Sequence, residues 1–213
     1  MLHATFCRVR IIRSVHIPLV LGLVLCSLLP PAFAGGLEDY VGAPDPSFAW
    51  KKVRETTTNG FTVTHLQMTS QNWRGHMWEH HLQVVVPEKI RNPDIAFVFV
   101  TGDGEGKSSI EMLKALAQRA GAVAAVVTKI PNQPLYDGRK EDALIAYTFD
   151  QYFKTGDATW PLLFPMVKSA VRAMDTVTAF AKEKGQPGAT RFVVSGASKR
   201  GWTTCSRRPP TRA

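Results

Sequence analysis

The stretch Arg191-Phe192-Val193-Val194-Ser195-Gly196-Ala197-Ser198-Lys199-Arg200-Gly201-Trp202 decides how this chain is read. Its first half is apolar and β-branched, which predicts a short buried strand. Gly196 and Ala197 leave room for a sharp turn, and the residues after Ser198 can open a helix. A serine at such a turn stands clear of the sheet with its hydroxyl exposed. The N–H of the next residue, Lys199, points out of the helix start, where the dipole favours negative charge, so it can donate to an oxyanion formed beside Ser198. The spacing departs from G-x-S-x-G, because Arg200 stands in the place of the second glycine and Gly201 follows one residue later. Taken alone, an ordinary strand-to-helix turn would also fit.

The segments upstream give this turn its context. A long amphipathic helix is predicted from Pro161, a residue welcome in a first helical turn, to about Lys184, with Gln186-Pro187-Gly188 ending it. A second helix is predicted from about Lys140 to Phe153, after a loop containing Pro131, Asn132, Pro134 and Gly138. Before that, Ile95 to Val100 is a continuous apolar run that breaks into Thr101-Gly102-Asp103-Gly104-Glu105-Gly106. Helical spacing of Ile110, Leu113 and Ala117 follows, with Ser108 or Ser109 as N-cap and Gly121 as the stop, and Val123 to Val127 is another apolar run. Strand, glycine turn, helix, strand is a βαβ unit, which requires a right-handed crossover and a parallel sheet. Further upstream, Phe61 to Thr69 and His81 to Val86 flank a turn-like Gln71 to Gly75 and predict an antiparallel hairpin; Gly35 to Trp50 reads as an extended lead-in.

This order of elements is that of an α/β-hydrolase, in which Ser198 is the nucleophile and the backbone N–H groups of Lys199, Gly102 and Asp103 form the oxyanion hole. The glycine turn is a poor phosphate loop: it lacks G-x-x-x-x-G-K-[ST] and the later glycine of the dinucleotide pattern, and Asp103 and Glu105 would repel phosphate. His76 and His80 would share a face only in a helix, which the alternation from His81 argues against, so His76, His80 and His81 are expected to be solvent-facing strand residues, not a zinc site. Trp73, Trp78, Trp160 and Trp202 are expected in the core or at its rim, and Glu141-Asp142 as helix-opening carboxylates. No metal and no cofactor is expected.

The two ends carry different information. Arg8, Arg10 and Arg13, the apolar run Ile17 to Leu29 and Ala32-Phe33-Ala34 have the order of a secretory signal peptide over residues 1–34, cleaved before Gly35. The apolar run is short of the roughly 20 residues of a spanning helix, and Leu25 before Cys26 is too bulky for a lipoprotein site. A periplasmic or secreted protein with no stable membrane anchor is expected. The formal charge of +9 falls to +3 for residues 35–204 once the arginines of the two ends are set aside, which argues against a nucleic-acid partner. After cleavage Cys205 stands alone, so no intramolecular disulfide is expected.

Ordered blocks from Gly35 to Thr204 resemble one family. Leu37-Glu38-Asp39-Tyr40-Val41, Pro44-Asp45-Pro46-Ser47-Phe48-Ala49-Trp50, Pro131-Asn132-Gln133-Pro134-Leu135, Glu141 to Thr148, Lys154-Thr155-Gly156-Asp157, Met166 to Asp175 and Gly196 to Thr204 are similar to the PhoPQ-activated pathogenicity-related proteins. The resemblance implies an exported α/β-hydrolase of Gram-negative type, tied to resistance to cationic antimicrobial peptides. It implies Ser198 as nucleophile and Lys199 as its oxyanion neighbour, and no more; the substrate expected is an unidentified small molecule or peptide. It covers an N-terminal part, residues 35–204, of such a domain. Residues 205–213, Cys-Ser-Arg-Arg-Pro-Pro-Thr-Arg-Ala, are basic and proline-broken where the family continues with an apolar helix, as a frameshift or early stop would leave them. An α/β-hydrolase places its acid and histidine after the serine, and no Asp, Glu or His follows Ser198. Little or no catalysis is therefore expected from this incomplete fold. The alternative is a non-enzymatic envelope protein that contributes to peptide resistance.

Overall fold

The structure is a computed structural model and describes residues 36–205; the expected signal peptide, its cysteines and residues 206–213 lie outside the described residues. A six-stranded mixed sheet in the order β1-β2-β3-β5-β4-β6 organises them. The strands are β1 (Ala49–Thr58), β2 (Phe61–Trp73), β3 (His76–Pro87), β4 (Ile95–Val100), β5 (Val123–Val127) and β6 (Arg191–Gly196). The helices are α1 (Gly36–Gly42), α2 (Ile110–Ala120, entered through a 3₁₀ turn at Lys107–Ser109), α3 (Glu141–Thr155), α4 (Leu163–Glu183) and α5 (Lys199–Cys205).

The first three strands form an antiparallel meander. Its turns are Asn59-Gly60, with φ of 50° and 77°, and Arg74-Gly75, with φ of 52° and 83°. Two consecutive left-handed residues give a turn whose twist matches that of the strands it joins. β3 then runs antiparallel to β5, while β4 lies parallel to both β5 and β6. The expected βαβ unit is therefore present, with β5 buried along its whole length.

Four sequence expectations change. The lead-in is a helix, α1, followed by the start of a full strand, β1, which went unread because its residues are almost all exposed and polar. The hairpin is longer than its alternation suggests: past a register shift between Thr69 and Gln71, the residues Gln71, Asn72 and Trp73 pair with Trp78, Met77 and His76, and only Arg74-Gly75 makes the turn. Gln71 is buried there, accepting from the Tyr40 hydroxyl at 2.6 Å and donating to the Pro165 carbonyl at 2.7 Å. β6 is not buried: it is an edge strand, half exposed, with Val193 51% accessible. Finally, His80 is not solvent-facing. It is fully buried, with Nδ1 3.0 Å from the Thr128 carbonyl and Nε2 2.9 Å from Ser70 Oγ. A carbonyl can only accept, so Nδ1 carries the proton and Nε2 accepts from the serine.

Helices cover both faces of the sheet. On one, α2 sets Leu113 and Ala117 against Val63, Val85, Ala124 and Val126. On the other, α4 sets Met166, Ala170, Ala173, Val177 and Phe180 against Leu66, Met68, Val84 and Val98. The core widens at one end around Trp73 and Trp78, which meet edge to face at 5.8 Å. Among the described residues no helix is long and apolar enough to cross a membrane.

Candidate active site

Parallel strands in an α/β sheet bring the loops that follow them to one edge. Here the loops after β4, β5 and β6 meet at that edge, and the expected site residues lie on two of them. Ser198 is the second of the two residues between β6 and α5, is exposed, and has φ of 55°. A non-glycine residue in the left-handed region carries a conformational cost that the surrounding structure must hold in place.

Two glycines make that turn tight enough. A Cβ on Gly196 would lie 2.8 Å from the backbone carbon and oxygen of Arg200, and one on Gly201 would lie 3.1 Å from the Gly196 carbonyl. Helix and strand thus touch backbone to backbone at these two positions. The displaced second glycine has a local reason: Gly201, not residue 200, faces the strand, which frees position 200 for a long side chain.

Arg200 uses that freedom. Its Nε donates to the Ile130 carbonyl at 2.6 Å, and its two terminal nitrogens fork onto Glu141 at 2.9 and 2.6 Å. Lys199 Nζ lies 2.8 Å from Glu141 Oε2 and 2.8 Å from Asp142 Oδ1. Gln133 closes the arrangement from the loop after β5. Its amide donates to Glu141 Oε1 at 2.7 Å and to Asp103 Oδ2 at 3.3 Å, and its carbonyl accepts from the Glu141 N–H at 2.9 Å. The donors, Arg200 first, with Lys199 and Gln133 adding, hold the Glu141 carboxyl down to about 2 against the opposing effect of burial. Asp142 and Glu141 in turn hold the Lys199 ammonium above its ordinary range.

The loop after β4 is held against the same guanidinium. A side chain on Gly102 would run into Arg200. The Gly102 carbonyl accepts from Lys129 N–H at 2.7 Å, and that of Thr101 from Ile130 N–H at 3.2 Å. Among the described residues, the N–H groups of Gly102 and Asp103 donate to no backbone or side-chain acceptor. Of the four site residues read from the sequence, Ser198 and Lys199 are contiguous, and Gly102 and Asp103 are joined to them through Arg200 and Gln133. What the sequence reading missed is the hub, Glu141, with Arg200 and Gln133. Two adjacent cations after the serine, Lys199 and Arg200, were the signal that an acidic partner was needed.

A meander feeding a parallel βαβ unit, with a strained serine between the next parallel strand and its helix, defines an α/β-hydrolase fold. The chain belongs to the PhoPQ-activated pathogenicity-related protein family, whose sequence model matches residues 37–207. It is 34% identical over 198 residues to autocrine proliferation repressor protein A of Dictyostelium discoideum, covering 85% of this chain and 40% of that protein. Among solved structures it is similar to a protein of Bacteroides fragilis NCTC 9343 provisionally assigned as an acetyl xylan esterase, with 17% identity, a TM-score of 0.51, and 79% of this chain and 46% of that one covered. It is also similar to a glucuronoyl esterase from Solibacter usitatus, with 13% identity, a TM-score of 0.50, and coverage of 79% and 52%. The chain thus spans about half or less of the proteins it matches, and its fold is an incomplete α/β-hydrolase fold relative to theirs.

Proposed function

We propose that this chain carries the nucleophile half of an exported serine hydrolase that cleaves an ester or amide through an acyl-enzyme. The observation that carries the reading is Ser198, exposed at φ of 55° on a turn where Gly196 admits no side chain and Gly201 leaves little room for one. Its hydroxyl would attack the carbonyl carbon, and the N–H groups of Lys199, Gly102 and Asp103 would receive the negative charge that moves onto the carbonyl oxygen. Collapse of the tetrahedral species breaks the bond to the leaving group, which departs as the alcohol or amine carrying the proton given up by the serine, and water then takes the acyl group off as the acid and returns a hydrogen to Ser198.

An unaided serine hydroxyl is a weak nucleophile near neutral pH. Residues 199–213 offer no Asp, Glu or His, and His80 is committed to Ser70 and Thr128 in the core. We therefore expect little turnover from this chain by itself. Export through residues 1–34 belongs to the same proposal.

A fluorophosphonate probe applied to a full-length family member should modify the serine matching Ser198, and alanine at that position should abolish labelling and lower hydrolysis of 4-nitrophenyl acetate by roughly 10³-fold or more. Absence of labelling, or activity unchanged by the alanine, would sink the reading.

A further inference from the structure

We propose that Glu141 is the positioning residue of this site: by gripping Arg200 and Lys199 it fixes the separation between the serine turn and the loop bearing Gly102 and Asp103. The two sets of N–H groups can then converge on one oxygen. This role rests on the serine-hydrolase reading of Ser198.

The contacts of Arg200 carry the inference. Its guanidinium joins two strand-end loops and a helix start: the Ile130 carbonyl after β5, the Glu141 carboxylate at the start of α3, and the surface over Gly102 after β4. It is itself two residues from Ser198. A planar fork on a carboxylate fixes direction as well as distance, which a single point charge does not. Glu141 is equally constrained. It sits at φ of 52°, and Gln133 holds both its backbone N–H, at 2.9 Å, and its carboxylate, at 2.7 Å. A carboxylate needed only to cap a helix would not require a left-handed backbone or three side-chain donors converging on it.

The clamp does not touch the reacting atoms, so its loss should appear in turnover and not in substrate affinity. Donors displaced by about 1 Å from a developing oxyanion cost on the order of 10²-fold in rate. In a full-length family member that keeps the counterparts of Ser198, Glu141 and Arg200, Glu141→Gln should lower kcat for 4-nitrophenyl acetate by roughly 10- to 100-fold, while KM stays within about threefold. Glu141→Asp should recover part of that loss. Should Glu141→Gln fail to fold, as read by its melting temperature, Arg200→Lys retains the charge but not the fork and should still lower kcat by roughly 3- to 10-fold at unchanged KM. An unaltered kcat in the folded variants, or a rise in KM alone, overturns the positioning role. If the unsubstituted protein neither hydrolyses the ester nor takes up a fluorophosphonate, the serine reading itself has failed, and the positioning role with it.

Discussion

Replacing Trp78 by alanine is expected to destabilise the folded domain by about 3–5 kcal/mol, read as a lower urea midpoint at an unchanged slope. Trp78 lies near the start of β3 with no accessible surface, edge to face with Trp73 at 5.8 Å and 6.3 Å from the His80 ring. Its indole N–H has no partner among the described residues, so the expected cost is one of lost packing and a cavity, not of a broken hydrogen bond. Trp73 behaves differently: its indole N–H donates to the Thr159 carbonyl at 3.1 Å, so Trp73→Phe should lose a hydrogen bond as well as volume. The cavity cannot close easily. Around it, Trp160, Tyr136 and Tyr147 lean on one another, with Arg74 held over Trp160 at 3.7 Å. A measured loss below about 1 kcal/mol would mean that this end of the core collapses to fill the gap.

Between pH 7 and pH 4 the domain is expected to lose about 3 kcal/mol through His80. Burial, reinforced by the positive charges of Lys129 and His81, pushes the imidazole from its ordinary 6.5 down to about 4, while hydrogen bonds to backbone carbonyls act the other way. An unfolded chain binds a proton at this histidine near 6.5 and the folded one does not until about 4. Stability is thus fully present above pH 6.5, falls as acid is added, and levels off below the folded value. His65 is lowered as well, again by burial first, and adds to the slope in the same direction. Glu141, held near 2, is lost in a separate and more acid window that begins below its ordinary 4.5. Urea titrations at several pH values should show the slope, and His80→Gln should remove most of it. A profile for that variant parallel to the unsubstituted one would place the acid sensitivity elsewhere.

The parallel part of the sheet was legible because its signals are local and strong. Ile95 to Val100 is an apolar run that breaks into Gly102, Val123 to Val127 is one that follows Gly121, and the helix stop at Gly121 is a left-handed cap with φ of 58°. The strand-to-helix turn at Ser198 was legible from its small residues only together with the order of the elements before it, since an ordinary turn uses the same residues. β1 was not legible from its residues, because an exposed edge strand has no apolar face to alternate; only Asn59-Gly60, a hairpin signal in its own right, announced it. His80 was misread because the two sides of β3 are unlike each other, and burial there is decided by α4, whose Ser169 lies 2.8 Å from Ser70 and closes the polar seam. Glu141 was misread through distance. Its partners stand at positions 199 and 200, and a carboxylate at the start of a helix has an adequate explanation without them.

β1 also closes one side of the sheet. An edge strand ten residues long presents a row of backbone groups to which a second chain could add. Two features blunt that invitation. Lys51, Lys52 and Arg54 place like charges along the edge, so two such strands repel on approach, and the irregularity between Lys52 and Arg54 breaks the straight register that a neighbouring strand would need. A strand that contributes little to the core thus carries, in its own residues, two features that disfavour the addition of another strand along its free edge.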